Sequence, residues 1–218
     1  MESANNPAFA HYCQAIFELD EDEIDVIQAR IAERLEVSRP AVSEMIRRLE
    51  TAGLVEVDRS RIALSHAGMR LAEQVVRRHR LAERFLTDVL HVSWAEAHTE
   101  AERWSSVISE SVEAAMMQLL GEPTTCPHGN PIPGSDYRSP GATALAAVAV
   151  GGSFVVSRIP EELEFTPGLL DFLERSWIVP GRRGTVTAQS PDGTLTVEID
   201  GRSVGLGEFA SSRILVTV

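Results

Sequence analysis

Apolar positions recur at helical spacing in the first half of the chain and at strand spacing in the last third. Phe9, Tyr12, Ile16 and Leu19 repeat every three or four residues, which predicts a helix over 7–19 followed by an acidic break at Asp20–Glu23. Residues 27–35 predict a second amphipathic helix, and Glu36, Val37 and Ser38 a tight turn. Ser38 can cap the next helix, and Pro40 sits early in it, where a missing N–H costs nothing. That helix turns Val42, Met45, Ile46 and Leu49 inward and stops at Gly53. Residues 54–58 and 61–65 alternate, so they predict two strands joined by a short turn at Arg59–Ser60. The order is that of a winged helix–turn–helix.

A long helix follows, over roughly 69–90, with Leu71, Val75, Val76, Leu81, Phe85, Leu86 and Val89 on its apolar face. Ser93 and Glu96 form a capping box for another helix, expected to run from Trp94 to about Ala101 and to continue or kink towards Leu119. Two hydrophobic helices behind a small DNA reader suggest a dimerisation module, because such readers need two half-sites. Residues 121–141 hold five prolines and four glycines, the composition of a connector. The segments 147–152, 154–159, 184–190, 195–199 and 214–218 read as five short strands, with a short helix around Pro167–Arg175. The expected fold is mainly α with a small β domain. A winged helix–turn–helix DNA-binding domain spans 1–72, a helical dimerisation and metal-binding domain with its Pro-rich connector spans 73–140, and an SH3-like β-barrel spans 146–218.

The net charge of -12 argues against nucleic acid until its distribution is considered. Every basic residue is Arg, and the segment from Arg30 to Arg84 carries a local +4, leaving -16 elsewhere. This is the charge pattern of a DNA reader on an acidic body. Arg39, Ala41, Ser43 and Glu44 open the second helix of the turn, next to Ser38 and Pro40, where a major groove would be read. Arg47, Arg48, Arg59 and Arg61 are placed to meet phosphates. The alternative is a protein-interaction module whose arginines are an ordinary solvated face. The two cysteines form no CxxC, and neither a leader pattern nor a run of ~20 apolar residues is present, so a reducing cytoplasm is expected.

The chemistry concentrates between Arg77 and Arg103. His79 and Glu83 are spaced i, i+4, and so are His98 and Glu102, so each pair shares a helical face. A histidine over a carboxylate, twice on successive helices, suits a divalent metal; the alternative is two solvated faces with weak pairs. Cys126 and His128 lie two apart, but no further Cys or His follows nearby to complete a four-ligand set. No nucleophile elbow, phosphate loop or HExxH is present, so an enzyme is not expected.

The stretches ARIAERLEVSRPAVSEMIRRLETAGLV (29–55), RRHRLAERFLTDVL (77–90), AHTEAERW (97–104) and PHGNPIPG (127–134) resemble the diphtheria toxin repressor family of iron- and manganese-dependent regulators. The resemblance covers essentially the whole chain. It implies Mn(II) or Fe(II) as co-repressor, a homodimer, and palindromic double-stranded operator DNA in metal-homeostasis genes; Zn(II) or Co(II) would be expected to bind in vitro. It implies an ancillary site at His79, Glu83 and His98, completed in some members from the SH3-like domain, here by Glu161, Glu162 or Glu164. It implies a primary site in which Glu102 matches one ligand position and His11 falls on the first-helix position. Ser105 and Ser106 stand where the family carries an acid and a histidine. Three readings follow: one rearranged site joining His11 and Glu102 to His79, Glu83 and His98; the ancillary set alone; or a regulator that binds DNA independently of metal. Because ligation needs neutral imidazole, activation is expected to weaken as pH falls through about 6.5.

Overall fold

The computed structural model describes residues 6–218. Asn6 caps helix α1 (Pro7–Glu21), which packs on α2 (Gln28–Arg34) and on the helix–turn–helix partner α3 (Arg39–Thr51). The wing is β1 (Val55–Asp58) paired antiparallel with β2 (Arg61–Leu64), and Arg59 holds the left-handed conformation at its tip. The spine is α4 (His66–Asp88), capped by Ser65. Its Gly68 lies so close to β1 that a Cβ there would stand 1.9 Å from the Leu54 carbonyl oxygen. Only a residue without a side chain lets the reader seat on the spine.

Helix α1 ends inside the acidic stretch, two residues later than expected, at Glu21 with Asp22 as its C-cap and left-handed Glu23 beyond it. Two carboxylates of the stretch are paired, while Asp20 and Glu23 are exposed. Glu21 bonds Arg80 of α4 at 2.9 and 2.5 Å, and Asp22 bonds Arg158 at 2.6 Å. The expected continuous helix beyond Ser105 is two helices, α5 (Trp94–Ser105) and α6 (Glu110–Leu119). Ser109 ends the continuity by accepting the Val112 N–H as an N-cap. Leu81, Leu86, Ala97, Ala101 and Met116 form the core between α4, α5 and α6.

The C-terminal domain has a six-stranded sheet of order β3-β8-β4-β5-β6-β7, with β3 at Thr143–Ala144, β4 at Ser153–Arg158, β5 at Arg183–Gln189, β6 at Leu195–Ile199, β7 at Arg202–Leu206 and β8 at Leu215–Thr217. Residues 147–152 are not a strand. A short 3-10 turn at Leu145–Ala147 leads into a bend at Gly151 and Gly152. Strand β7 escaped the sequence pattern because only Val204 and Leu206 turn inward and Gly205 lies between them. The expected helix near Pro167 is α8 (Leu169–Arg175), preceded by left-handed Gly168, and a short helix that was not expected, α7 (Glu161–Glu164), lies before it. A four-residue α9 (Glu208–Ser211) precedes β8.

This domain is built into the rest. Trp94 of α5 belongs to its hydrophobic core, and the Trp94 backbone N–H donates to Glu174 at 3.0 Å. Arg80 is fully buried and joins three parts of the chain, through Glu21, Glu161 at 2.9 Å and the Pro131 carbonyl at 2.5 Å. Replacing Arg80 with Ala leaves Glu161 buried and unpaired. The expected loss is about 3–5 kcal/mol of stability in thermal or urea unfolding. Arg30→Ala, which removes an exposed pair with Glu33, should cost no more than ~1 kcal/mol.

Candidate metal centre and nucleic-acid face

Helix α4 places His79 and Glu83 one turn apart on its buried side, and α5 brings His98 against them. Glu83 Oε1 is the meeting point, 3.1 Å from His79 Nε2 and 2.9 Å from His98 Nδ1. The crossing of α5 on α4 therefore makes one cluster out of two pairs that were separate in the sequence. The His79 and His98 rings meet edge to face at 5.1 Å, and Phe165 covers His98.

Three further donors enter the cluster. Glu164 of α7 reaches His98 Nδ1 at 3.1 Å through Oε2, so of the three glutamates implied from the C-terminal domain it is Glu164 that meets a histidine; Glu161 pairs with Arg80, and Glu162 with Arg213. His128 and Cys126 come from the connector, with His128 Nδ1 2.9 Å from Glu164 Oε2 and 3.7 Å from Glu83 Oε1. Sequence distance hid this arrangement, since the partners that Cys126 and His128 lack nearby arrive from α4 and α7. A tight turn holds both residues, with the Cys126 N–H donating to the Asn130 carbonyl and the Gly129 N–H to the Cys126 carbonyl. Gly129 has φ 89°, and a Cβ there would lie 2.3 Å from the Ser157 carbonyl oxygen. Glycine thus lets the connector lie on β4, where the His128 carbonyl accepts from Ile159 at 2.8 Å.

Glu102 and His11 lie further out. Glu102 Oε2 is 3.4 Å from His79 Nδ1, the ring nitrogen facing away from Glu83, and His11 Nε2 is 3.6 Å from Glu102 Oε1. Gln14 also approaches Glu102, at 3.4 Å, and donates to Glu18 at 2.9 Å. The side chain of His11 is 52% exposed, and that of Glu102 40%. Ser105 and Ser106 donate back to the carbonyls of Glu102 and Arg103, which ends α5.

The electrostatics suit a cation. Burial alone would push His79 down, but the charge of Glu83 and the hydrogen bonds of Glu102 and Glu83 hold it up at about 10. His98 is likewise raised by Glu164 and Glu83 against the effect of burial. Burial would raise Glu164 and Glu102, yet His128 and His79 respectively hold each at about 2. Among the described residues, Glu83 Oε2, Glu164 Oε2 and His128 Nε2 are buried without an aligned hydrogen-bond partner. Carboxylate oxygens in that state need a cation or a proton donor to offset their desolvation. The donor set of neutral-capable imidazoles and carboxylates therefore fits a divalent metal.

On the opposite face of the reader, Arg39, Pro40, Ala41, Glu44, Arg47 and Arg48 are exposed along the outer side of α3, and Ser43 is half-buried. Ser38 is committed to the N-cap, accepting from Ala41 N. Arg47 lies 3.6 Å from Glu44 and Arg48 stacks over Phe9, whereas Arg39 and the wing residues Arg59 and Arg61 have neither an ion pair nor an aromatic partner among the described residues.

A winged helix–turn–helix seated on the helix that carries a buried His/Glu cluster is the architecture of a metal-dependent DNA-binding regulator. Family models agree along the chain: "Iron dependent repressor, N-terminal DNA binding domain" matches residues 8–63, "Iron dependent repressor, metal binding and dimerisation domain" matches 65–134, and "FeoA domain" matches 143–218. The chain is 40% identical over 202 residues, 87% of each chain, to the iron-dependent repressor IdeR of Mycobacterium leprae. It is 46% identical over 127 residues to the diphtheria toxin repressor of Corynebacterium diphtheriae, covering 57% of this chain and 56% of that one. A manganese-dependent transcriptional repressor solved in complex with manganese superposes with a TM-score of 0.85 at 34% identity, over 95% of this chain and 98% of that one. The chain belongs to the diphtheria toxin repressor family of metal-dependent transcriptional regulators.

The raised histidines shift the pH window expected from sequence. His79 stabilises the metal-free fold fully below its ordinary value near 6.5, and this contribution is lost as pH rises through about 10. Glu102 contributes above its ordinary value, and this is lost as pH falls towards about 2. A cation at His79 and His98 must therefore displace protons already at neutral pH. Calorimetric titration of Mn(II) at pH 7 in buffers of different ionisation heat should report at least one proton released per chain, with affinity rising up to about pH 10. Zero release would contradict this assignment.

Proposed function

We propose that this chain is a homodimeric repressor that binds palindromic operators of metal-homeostasis genes when Mn(II) or Fe(II) occupies the cluster on α4. The observation that carries the proposal is the buried convergence of His79, Glu83 and His98 on the helix that also seats the reader. His79, Glu83 and His98 ligate the ion, and Glu164 completes their set from the C-terminal domain. Glu102, 3.4 Å from the outer nitrogen of His79, sets the ring by its charge, a role whose loss typically lowers metal affinity 10–100-fold. His11 adds charge beside Glu102. When bound, the ion supplies the positive charge that holds α4, α5 and α7 together, and so fixes where α3 points. Oxygen and imidazole donors favour Mn(II) or Fe(II) by hardness, while Zn(II) and Co(II) bind in vitro by affinity order.

Val107, Val112 and Leu119 are 77%, 48% and 64% exposed, and the last two share a face of α6. Such a patch on the helices behind the reader supports a second copy as its cover. Regulation independent of metal is not favoured by the family or by the buried, unpartnered carboxylate oxygens. The relatives are repressors, and the chain is read as a regulator rather than an enzyme. Among the described residues no helix is long and apolar enough to cross a membrane, and operator binding implies a cytoplasmic protein.

Fluorescence anisotropy with operator DNA should show affinity rising at least tenfold from chelator to Mn(II) or Fe(II). His79→Ala should abolish the response; equal affinity in chelator and in metal would sink the proposal. Arg39→Ala should weaken specific binding by about 1–3 kcal/mol if it reads a guanine edge, whereas a phosphate contact would reduce the salt slope by about 1.

A further inference from the structure

Cys126 and His128 fall in a group of mutually close donor atoms with Glu83, separate from the group formed by His79, Glu83 and His98. The two groups share only Glu83. Cys126 Sγ lies 3.8 Å from His128 Nδ1, which lies 3.7 Å from Glu83 Oε1 and 2.9 Å from Glu164 Oε2. Donors around one tetrahedral ion stand about 3.3–3.6 Å apart, given bonds of about 2.0–2.3 Å. All four residues are buried. Glu164 Oε2 faces two imidazoles yet is aligned as a hydrogen bond with neither. Apart from the Cys126–His128 hydrogen bond, these atoms are gathered about a point rather than aimed at one another, as a cation site leaves them. The thiol is free, and Arg80 beside it is already occupied by Glu21 and Glu161.

We propose that Cys126, His128, Glu83 and Glu164 form a second divalent-cation position, sharing Glu83 and Glu164 with the His79–Glu83–His98 position. A thiolate, an imidazole and two carboxylates make this position softer than its neighbour, suited to Zn(II) or Fe(II) before Mn(II). On ligation the cation replaces the thiol proton, which passes to the buffer, and a sulfur–metal bond forms. The second ion would fasten the connector to α4 and α7. It takes up, on the other side of Glu83, a role that the Ser105–Ser106 end of α5 has no donors to play.

This inference rests on the reading of the cluster as a metal sensor, and Co(II) serves as the probe that separates the two. Reduced, chelator-treated protein is titrated with Co(II) without oxygen, followed by absorption and calorimetry. The expected result is two Co(II) per chain, with a near-ultraviolet thiolate-to-Co(II) band and strong tetrahedral visible absorption. Cys126→Ser should lose the band and one equivalent. His128→Gln should weaken the same equivalent at least tenfold. His79→Ala should keep the band and lose the other equivalent. Circular dichroism confirms that each variant is folded. No thiolate band in the unaltered protein overturns the proposal, as does a single Co(II) whose band His79→Ala also removes. No Co(II) binding at all overturns both this position and the metal-sensing function. Two Co(II) with the band but metal-independent operator binding overturns the regulatory function alone and leaves the site standing.

Discussion

A carboxylate withdrawn from water must be surrounded by positive charge or give up its own. Glu83, fully buried in the middle of α4, meets that demand by drawing imidazoles from two other segments, His98 of α5 and His128 of the connector, against His79 of its own helix. The surroundings keep it ionised well below the usual carboxylate range. Burial opposes this, and His128 and His79 overcome it. Helix α5, the connector and α7 are folded around that single charge.

The next residues of the same helix do the complementary work. Arg80 is a buried cation that collects carboxylates, as Glu83 collects imidazoles. Through Glu21 it holds the end of α1, and through Glu161 it holds α7, while Arg158 returns from β4 to Glu21 and Asp22. One turn of α4 thus ties the reader, the cluster and the C-terminal domain. A charge added at Glu83 lies next to the residues that set the position of α1 and, behind it, α3. This adjacency gives a local ionic event a mechanical route to the DNA-reading face.

The helices and the wing were legible from the chain itself. Apolar residues at spacing three and four, the caps Ser38 and Ser93, and the alternation of 55–58 with 61–64 are local properties that burial rewards directly. The i, i+4 pairs likewise made His79, Glu83 and His98 stand out. Ser109 as a cap was equally local but lay inside an apolar run that concealed it, and β7 was concealed by having only two inward residues.

Only the tertiary structure decided what surrounds those pairs. His128 and Glu164 are 36 residues apart in sequence yet 2.9 Å apart in space, because Gly129 lets the connector lie against β4 and α7 follows that strand directly. Glu102, paired with His98 by spacing, instead faces the outer nitrogen of His79, because the crossing of α5 on α4 rather than helical periodicity sets which side chains meet. The acids at Glu21 and Asp22 read only as a helix end, and their pairing with Arg80 and Arg158 appears only in the fold. Periodicity is a property of one segment, so the sequence determined the elements and their buried faces; charge compensation is a property of several segments at once, so which side chains meet at Glu83 was decided by the fold.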